Sequence, residues 1–339
     1  MEDKKVMLEV NDLQTTFFTD SGDIPAVDHV SFHVHDGEVL GIVGESGCGK
    51  SVTSLSIMGL VPNPPGKVVG GDIHFEDKNL LDLSEREMRK VRGNDIAMIF
   101  QEPMTSLNPL FTIGHQMMEA VLIHHKKKGK QYAKDRCIEM LELVELPRAK
   151  DLMDEYPHQL SGGMRQRVMI AMALICDPKV LIADEPTTAL DVTTQSQILK
   201  LIKELNDRLN TALLLITHDL GVVAKTCERV IVMYSGQVIE EAPVDKLFDS
   251  PKHPYTQGLI QSVPDVRKKQ DRLYSIEGNV PLPGSIHKGC RFADRCKFAF
   301  DRCFNENPEF YQTSDVQKAR CFLYDKEGAV EHDKALTRS

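Results

Sequence analysis

The chain's clearest chemistry lies in Gly44-Glu45-Ser46-Gly47-Cys48-Gly49-Lys50-Ser51, which fits the pattern G-x-x-x-x-G-K-[ST]. An apolar run, Val39–Val43, leads into it, and a helical pattern from Lys50 to Leu60 follows until Pro62, Pro64 and Pro65 stop it. Glycines in such a turn let the backbone curl until its N–H groups converge on phosphate oxygens, and the positive end of the next helix adds to the attraction. The Lys50 ammonium then reaches the β and γ phosphates, and the Ser51 hydroxyl ligates Mg²⁺.

A second chemical element is Val180-Leu181-Ile182-Ala183-Asp184-Glu185, an apolar strand ending in two carboxylates. Consecutive strand residues point in different directions, so the two acids can hold different jobs. Asp184 suits the Mg²⁺ shell. Glu185 suits the general base that orients and deprotonates a water, a role worth about 10²- to 10⁴-fold in rate. His218, just beyond the apolar run Leu213–Ile216, is placed to hold water, base and phosphate in register. A third element, Leu160-Ser161-Gly162-Gly163-Met164, precedes a helix starting near Arg165. A Ser-Gly-Gly turn at a helix N-terminus also binds anions. One chain thus carries two phosphate-facing helix ends, which simple P-loop kinases and GTPases do not need.

The elements that must position these residues alternate between strand and helix. Leu8–Val10 and Val30–Val34 alternate apolar and polar residues as half-buried strands do, and Val180–Ala183, Leu213–Thr217 and Val230–Tyr234 read as further strands, with a helix over Gln195–Leu209. Between about 106 and 160 the pattern turns helical, including Ala133–Val144 after the basic run Lys126–Lys130, which reads as a solvated helix connection. The alternation predicts an α/β core with a mainly parallel sheet interrupted by a helical insertion. Beyond about Ala242 the chain reads as irregular and rich in Pro, His and Cys, an appended module.

Composition narrows the classes. At 339 residues with 41% hydrophobic and 27% charged residues, the chain can bury a core over roughly two domains. The longest apolar run, Val168–Cys176, is far short of the roughly 18 to 20 residues that span a bilayer. The start Met1-Glu2-Asp3-Lys4-Lys5 lacks the apolar stretch of a secretory signal, which predicts a cytoplasmic chain. A net charge of -9 and a pI near 5.8 argue against a general nucleic-acid binder.

With Gln101 after the strand Ile96–Phe100, and with Ala189-Leu190-Asp191 following the acid pair, these elements stand in the order found in the nucleotide-binding subunits of ABC transporters, which the sequence resembles over about 6–245. The resemblance implies a P-loop NTPase (RecA-like) core with an antiparallel β subdomain and a helical subdomain near 106–160, together making an ATP-binding domain over 1–245. It implies a head-to-tail dimer in which ATP lies between one chain's Walker motifs and the other chain's signature. Carried over by position, Gly44, Ser46, Gly47, Cys48, Gly49, Lys50, Ser51 and Val52 cradle the nucleotide. Gln101 senses Mg²⁺ and the γ-phosphate, Ser161 and Gly163 contact phosphate, and Asp191 links the two sites. Phe17 most resembles the aromatic that stacks on adenine, with Phe18 the competing choice and plain packing the alternative. The signature departs from many relatives in ending on Met164 rather than Gln.

In the tail, His253-Pro254-Tyr255-Thr256-Gln257-Gly258-Leu259 resembles the segment that marks ATPases of dipeptide and oligopeptide permeases, a group that includes nickel importers. The run Leu160–Arg167 resembles the D-type rather than the F-type partner. This implies an importer subunit on the cytoplasmic face of the membrane, working as a heterodimer with an F-type ATPase, two transmembrane permeases and an extracytoplasmic peptide-binding protein, and no nucleic acid. The alternatives are a nickel or other small-solute importer, a soluble ABC ATPase of DNA repair or translation, and a soluble iron–sulfur protein switched by nucleotide.

Cys290, Cys296, Cys303 and Cys321, in the module 246–339, are spaced too widely to match a usual structural zinc site, and four thiolates can hold one iron–sulfur cluster. The D-type ATPases that this tail resembles carry such a cluster, so a [4Fe–4S] group is the leading expectation, with zinc and unliganded cysteines the alternatives. Cys48, inside the phosphate loop at a helix N-terminus, is expected to have a lowered pKa and to be alkylated unless ATP protects it.

Overall fold

The structure is a computed structural model that describes residues 4–101, 106–188, 191–263, 274–281, 284–285 and 288–325. The chain folds as two compact units. The first takes the described residues of Met1–Glu9, His33–Val39 and His74–Ile216, and the second those of Val10–Phe32, Leu40–Ile73 and Thr217–Ser339. The borders run through strands β1 (Val6–Thr19), β2 (Gly22–His35), β3 (Val39–Val43) and β4 (Gly66–Phe75). These strands β2, β1 and β4 are neighbours in that order in a four-stranded sheet completed by β5 (Lys78–Asn79), which pairs antiparallel with β4.

The first unit is built on three parallel strands, β6 (Ile96–Ile99), β7 (Val180–Asp184) and β8 (Ala212–Ile216), with Ile96 opposite Val180 and Val180 opposite Ala212. Every residue of β7 and β8 is buried. Such near-continuous apolar runs belong to parallel strands covered on both faces. The short helix α2 (Glu85–Val91) precedes β6, and between β6 and β7 come the insertion helices α3 (Ile113–His124), α4 (Gly129–Leu143), α5 (Ala149–Leu152) and α6 (Gly162–Leu174). The lysine run forms an exposed 3₁₀ turn, Lys126–Lys128, leading into α4, as a solvated connection should. Helix α7 (Val192–Leu209) buries Ile198, Leu201, Ile202 and Leu205, spaced to share one helical face. It ends where Asn210 takes a left-handed conformation, φ 50°.

In the second unit β3 pairs in parallel with β9 (Arg229–Tyr234), and β9 pairs antiparallel with β10 (Gln237–Pro243). Helix α1 (Lys50–Ile57) follows β3, and α8 (Leu220–Thr226) precedes β9. The tail holds more regular structure than its composition predicts. Helices α9 (Val244–Asp249), α10 (Pro254–Gln261) and α11 (Asp301–Asn305) are joined by strands β11 (Tyr311–Ser314) and β12 (Gln317–Ala319). Neither strand has an apolar run that would reveal it. β12 exists because β10 offers it an edge, with Glu240 opposite Ala319.

Candidate functional site

The phosphate loop lies in the second unit, between buried β3 and α1. Gly49 caps α1 with φ 101°, and a Cβ there would meet the Ala26 carbonyl oxygen at 2.4 Å, so glycine is required both by conformation and by space. The cap makes no side-chain hydrogen bond, and the N–H groups at a helix start of this kind are directed along the axis toward anions. Ser46 and Gly47 are exposed, and Ser51 and Val52 are half-buried on the first turn of α1. Lys50 is buried, its Nζ donating to the carbonyl oxygens of Gly44 (2.8 Å) and Glu45 (3.0 Å).

Cys48 does not match its expected reactivity. The thiol is fully buried, a Cβ on Gly44 would lie 2.7 Å from its Sγ, and burial pushes its pKa up despite Lys50 Nζ at 3.8 Å. Desolvation outweighs the helix end and the lysine, because a thiolate there has no water to stabilise it. Of the two aromatic candidates, Phe17 is half-buried with its ring against Gly66, where a Cβ would come within 2.9 Å of Cε1, and Phe18 is exposed. His218 is exposed, on the turn after β8, and belongs to the second unit.

The tail reaches the loop within the same unit. The Glu45 backbone N–H donates to the Tyr255 hydroxyl (2.9 Å), and Arg295 donates to both oxygens of the Glu45 carboxylate (2.8 and 3.2 Å). Neither partner was visible in the sequence pattern.

The acid pair and the Ser-Gly-Gly turn lie in the first unit. Asp184 ends β7, buried, opposite Ile216 of β8. Glu185 takes the left-handed conformation, φ 46°, its N–H donating to the Ile216 carbonyl oxygen (2.9 Å). A glutamate in this region is uncommon, and strained backbone of this kind gathers at working sites. Its Oε2 accepts from Gln101 Nε2 (3.2 Å) and Thr188 Oγ1 (3.1 Å), so the structure brings the two sequence candidates Gln101 and Glu185 together and adds Thr188. Ser161 caps α6, its Oγ accepting from the Met164 N–H (3.3 Å), and Ser161, Gly162, Gly163, Asp191 and Thr194 line one open pocket. Asp191 caps α7 by accepting from the N–H groups of Thr193 and Thr194 and from Thr194 Oγ1, contacts that hold its carboxyl below the usual range. Ala189 and Leu190 lie outside the described residues.

Cys290, Cys296, Cys303 and Cys321 all line one small pocket with Phe292, Phe298, Phe300, Phe322 and His253. Burial raises the thiols of Cys290 to about 12 and Cys296 to about 11, and pushes that of Cys321 up as well. His253 Nδ1 accepts from the Tyr255 N–H (3.1 Å), so its buried Nε2 carries the proton and has no hydrogen-bond partner. Among the described residues no group of three or more His, Cys, Asp or Glu is gathered closely enough to hold a metal ion.

Comparison with known proteins agrees with the geometry. A family model described as ABC transporter matches 27–188, and a second, oligopeptide/dipeptide transporter, C-terminal region, matches 239–303. The chain is 56% identical over 325 residues to the oligopeptide transport ATP-binding protein AppD of Bacillus subtilis (strain 168), covering 96% of this chain and 99% of that protein. It belongs to the ATP-binding subunits of the ABC transporter family. Another member, the dipeptide transport ATP-binding protein DppD of Escherichia coli (strain K12), is 48% identical over 315 residues, covering 93% and 96%. Among solved structures, the dimeric post-hydrolysis state of the ATP-binding cassette MJ0796 bound to ADP and Pi superposes with a TM-score of 0.62 at 30% identity, covering 70% of this chain and 99% of that one. As an ABC ATPase the chain has the α/β cassette fold expected from its P-loop, and it hydrolyses ATP. Among the described residues no helix is long and apolar enough to cross a membrane.

Proposed function

We propose that this chain is the ATP-hydrolysing subunit of a peptide importer, coupling ATP binding and hydrolysis to uptake of di- and oligopeptides through membrane permeases. The observation that carries this is the phosphate loop itself, an uncapped helix start behind a left-handed Gly49 with Lys50 folded over it, in a chain nearly half or more identical to proteins named for peptide transport. In this reading Gly44 and Ser46 to Val52 cradle the phosphates and Lys50 neutralises the outer two. Ser51 and Asp184 supply hard oxygen donors suited to Mg²⁺, with Gln101 reporting on the ion. Glu185, held by Gln101 and Thr188, takes the proton of the attacking water while His218 keeps water and phosphate aligned.

Ser161 and Gly163 serve the nucleotide of a companion ATPase, an F-type subunit in a heterodimer, and Asp191 communicates between the sites. Phe17 stacks on adenine. The ATPase domain occupies 1–245 and the permease-type module 246–339, and the assembly sits on the cytoplasmic face of the membrane with two permeases and an extracytoplasmic peptide-binding protein. No observation favours the nickel or regulatory readings.

In this reading the cysteine pocket takes a [4Fe–4S] group. What supports it is that four thiols line one apolar pocket together with His253, whose Nε2–H has no hydrogen-bond partner and is a donor suited to sulfur. Cys290, Cys296, Cys303 and Cys321 would be the ligands, and such a group would cross-link the segment and supply a one-electron redox centre. Iron and sulfide analysis of anaerobically purified protein beside Cys296→Ser is expected to show both elements in the first and a loss in the second; equal contents would remove these ligands.

The transport reading is tested by uptake of labelled peptide into vesicles carrying the permeases, the binding protein and both ATPases. Uptake that needs ATP and disappears with Lys50→Ala is expected; uptake indifferent to ATP would overturn the reading.

A further inference from the structure

Glu45 is a variable position of the phosphate loop, yet every polar group it has is engaged. Its carbonyl oxygen accepts from Lys50 Nζ (3.0 Å) and from the Cys48 N–H (3.3 Å), within the loop. Its N–H and its carboxylate are taken by the tail, from Tyr255 and Arg295. A carboxylate in a loop that must receive a polyanion works against that task unless a cation neutralises it. Arg295 is the cation that does so.

The placement of Arg295 is built rather than incidental. Its side chain is 5% exposed, its fork spans both carboxylate oxygens, and its other donors reach the Glu277 carbonyl oxygen (3.0 Å) and the Tyr234 hydroxyl (3.3 Å). The guanidinium lies near the rings of Tyr234 and Phe292, which pack against Tyr255. The backbone that carries it is a tight turn between two of the pocket cysteines, with Ala293 N–H on Cys290 O, Arg295 N–H on Phe292 O and Cys296 N–H on Ala293 O.

We propose that Arg295 is a positioning residue for ATP binding, holding and neutralising Glu45 so that the four-cysteine segment governs how well the phosphate loop accepts a triphosphate. This rests on the nucleotide reading of the loop and is independent of what the cysteine pocket holds. Removing Arg295 leaves Glu45 charged beside the incoming phosphates and frees the loop. Removing the charge at both positions takes away the repulsion.

The test is calorimetric titration of the full-length chain with MgATP at fixed salt, with melting temperatures taken in parallel. Wild-type binding that is lost in Lys50→Ala confirms the loop as the nucleotide site; no wild-type binding would sink that reading itself. Given wild-type binding, Arg295→Gln is expected to weaken ATP at least tenfold, and Glu45→Gln/Arg295→Gln to recover to within about threefold of wild type. Arg295→Lys, which keeps charge but loses the fork, is expected to fall between, and serves if Arg295→Gln does not fold. A folded Arg295→Gln with wild-type affinity, or a double variant as weak as the single, would overturn the proposal.

Discussion

Two helix starts in this chain are equipped for phosphate, and they are built differently. That of α1 begins at a left-handed Gly49, has no side-chain cap, and lies behind a loop whose lysine is buried and whose backbone is bound by Gly236 and Tyr255. That of α6 begins at Ser161, whose hydroxyl already caps the Met164 N–H, with Ser161 and Gly162 exposed on an open pocket. The first is a loop curled over its own lysine, at a helix start that has no side-chain cap. The second is half a site, in which a phosphate would have to exchange with the cap. On the function proposed above, the first end loads the chain's own triphosphate and the second serves the nucleotide of a companion molecule.

The contrast can be broken most severely at Gly49. Gly49→Ala would force a Cβ to 2.4 Å from the Ala26 carbonyl oxygen at φ 101°, so ATP binding by the purified chain is expected to fall below detection, with a lower melting temperature. Lys50→Ala keeps the loop but removes its cation, and an affinity loss of about 100-fold in the same titration, roughly 2.7 kcal/mol, is expected. Ser161→Ala sharpens the contrast. It should leave the chain's own ATP affinity within about twofold, cost about 1 kcal/mol of stability through the lost cap, and slow hydrolysis about tenfold only when the second ATPase is present. Equal loss of affinity in Lys50→Ala and Ser161→Ala would mean that the two ends are not different in kind.

Cys48 gives the smallest effect. Its raised pKa means that the thiolate population at pH 8 is lower than that of an ordinary thiol and rises with pH. Maleimide labelling at pH 8 is therefore expected to run at least tenfold slower than for an exposed cysteine peptide, and to speed up with pH. Fast labelling at neutral pH would show the loop to be far more open than its burial implies.

Much of this was legible locally. The phosphate loop, the acid pair and the Ser-Gly-Gly cap each sit beside an apolar strand or periodic helix, so their context can be read within a dozen or so residues. Gln101 and Glu185 were picked out as separate motifs, and the structure adds that they touch. What was missed is held by distance along the chain. Tyr255 and Arg295 meet Glu45 across separations of 210 and 250 residues, and no local pattern carries such a contact. Cys48 departs from expectation for a related reason, because its thiol is fully buried beside Gly44 and desolvation outweighs the helix end next to it. The short strands β11 and β12 are created by pairing with β10 and have no apolar signature of their own.

The most direct test of the central chemistry is MgATP binding and hydrolysis by Glu185→Gln, assembled with its companion ATPase. Affinity within about threefold of wild type and a hydrolysis rate lower by about 10²- to 10⁴-fold is the expected result. Hydrolysis at the wild-type rate would contradict the assignment of Glu185 as the base, and with it the working role of the Gln101 and Thr188 contacts that hold it.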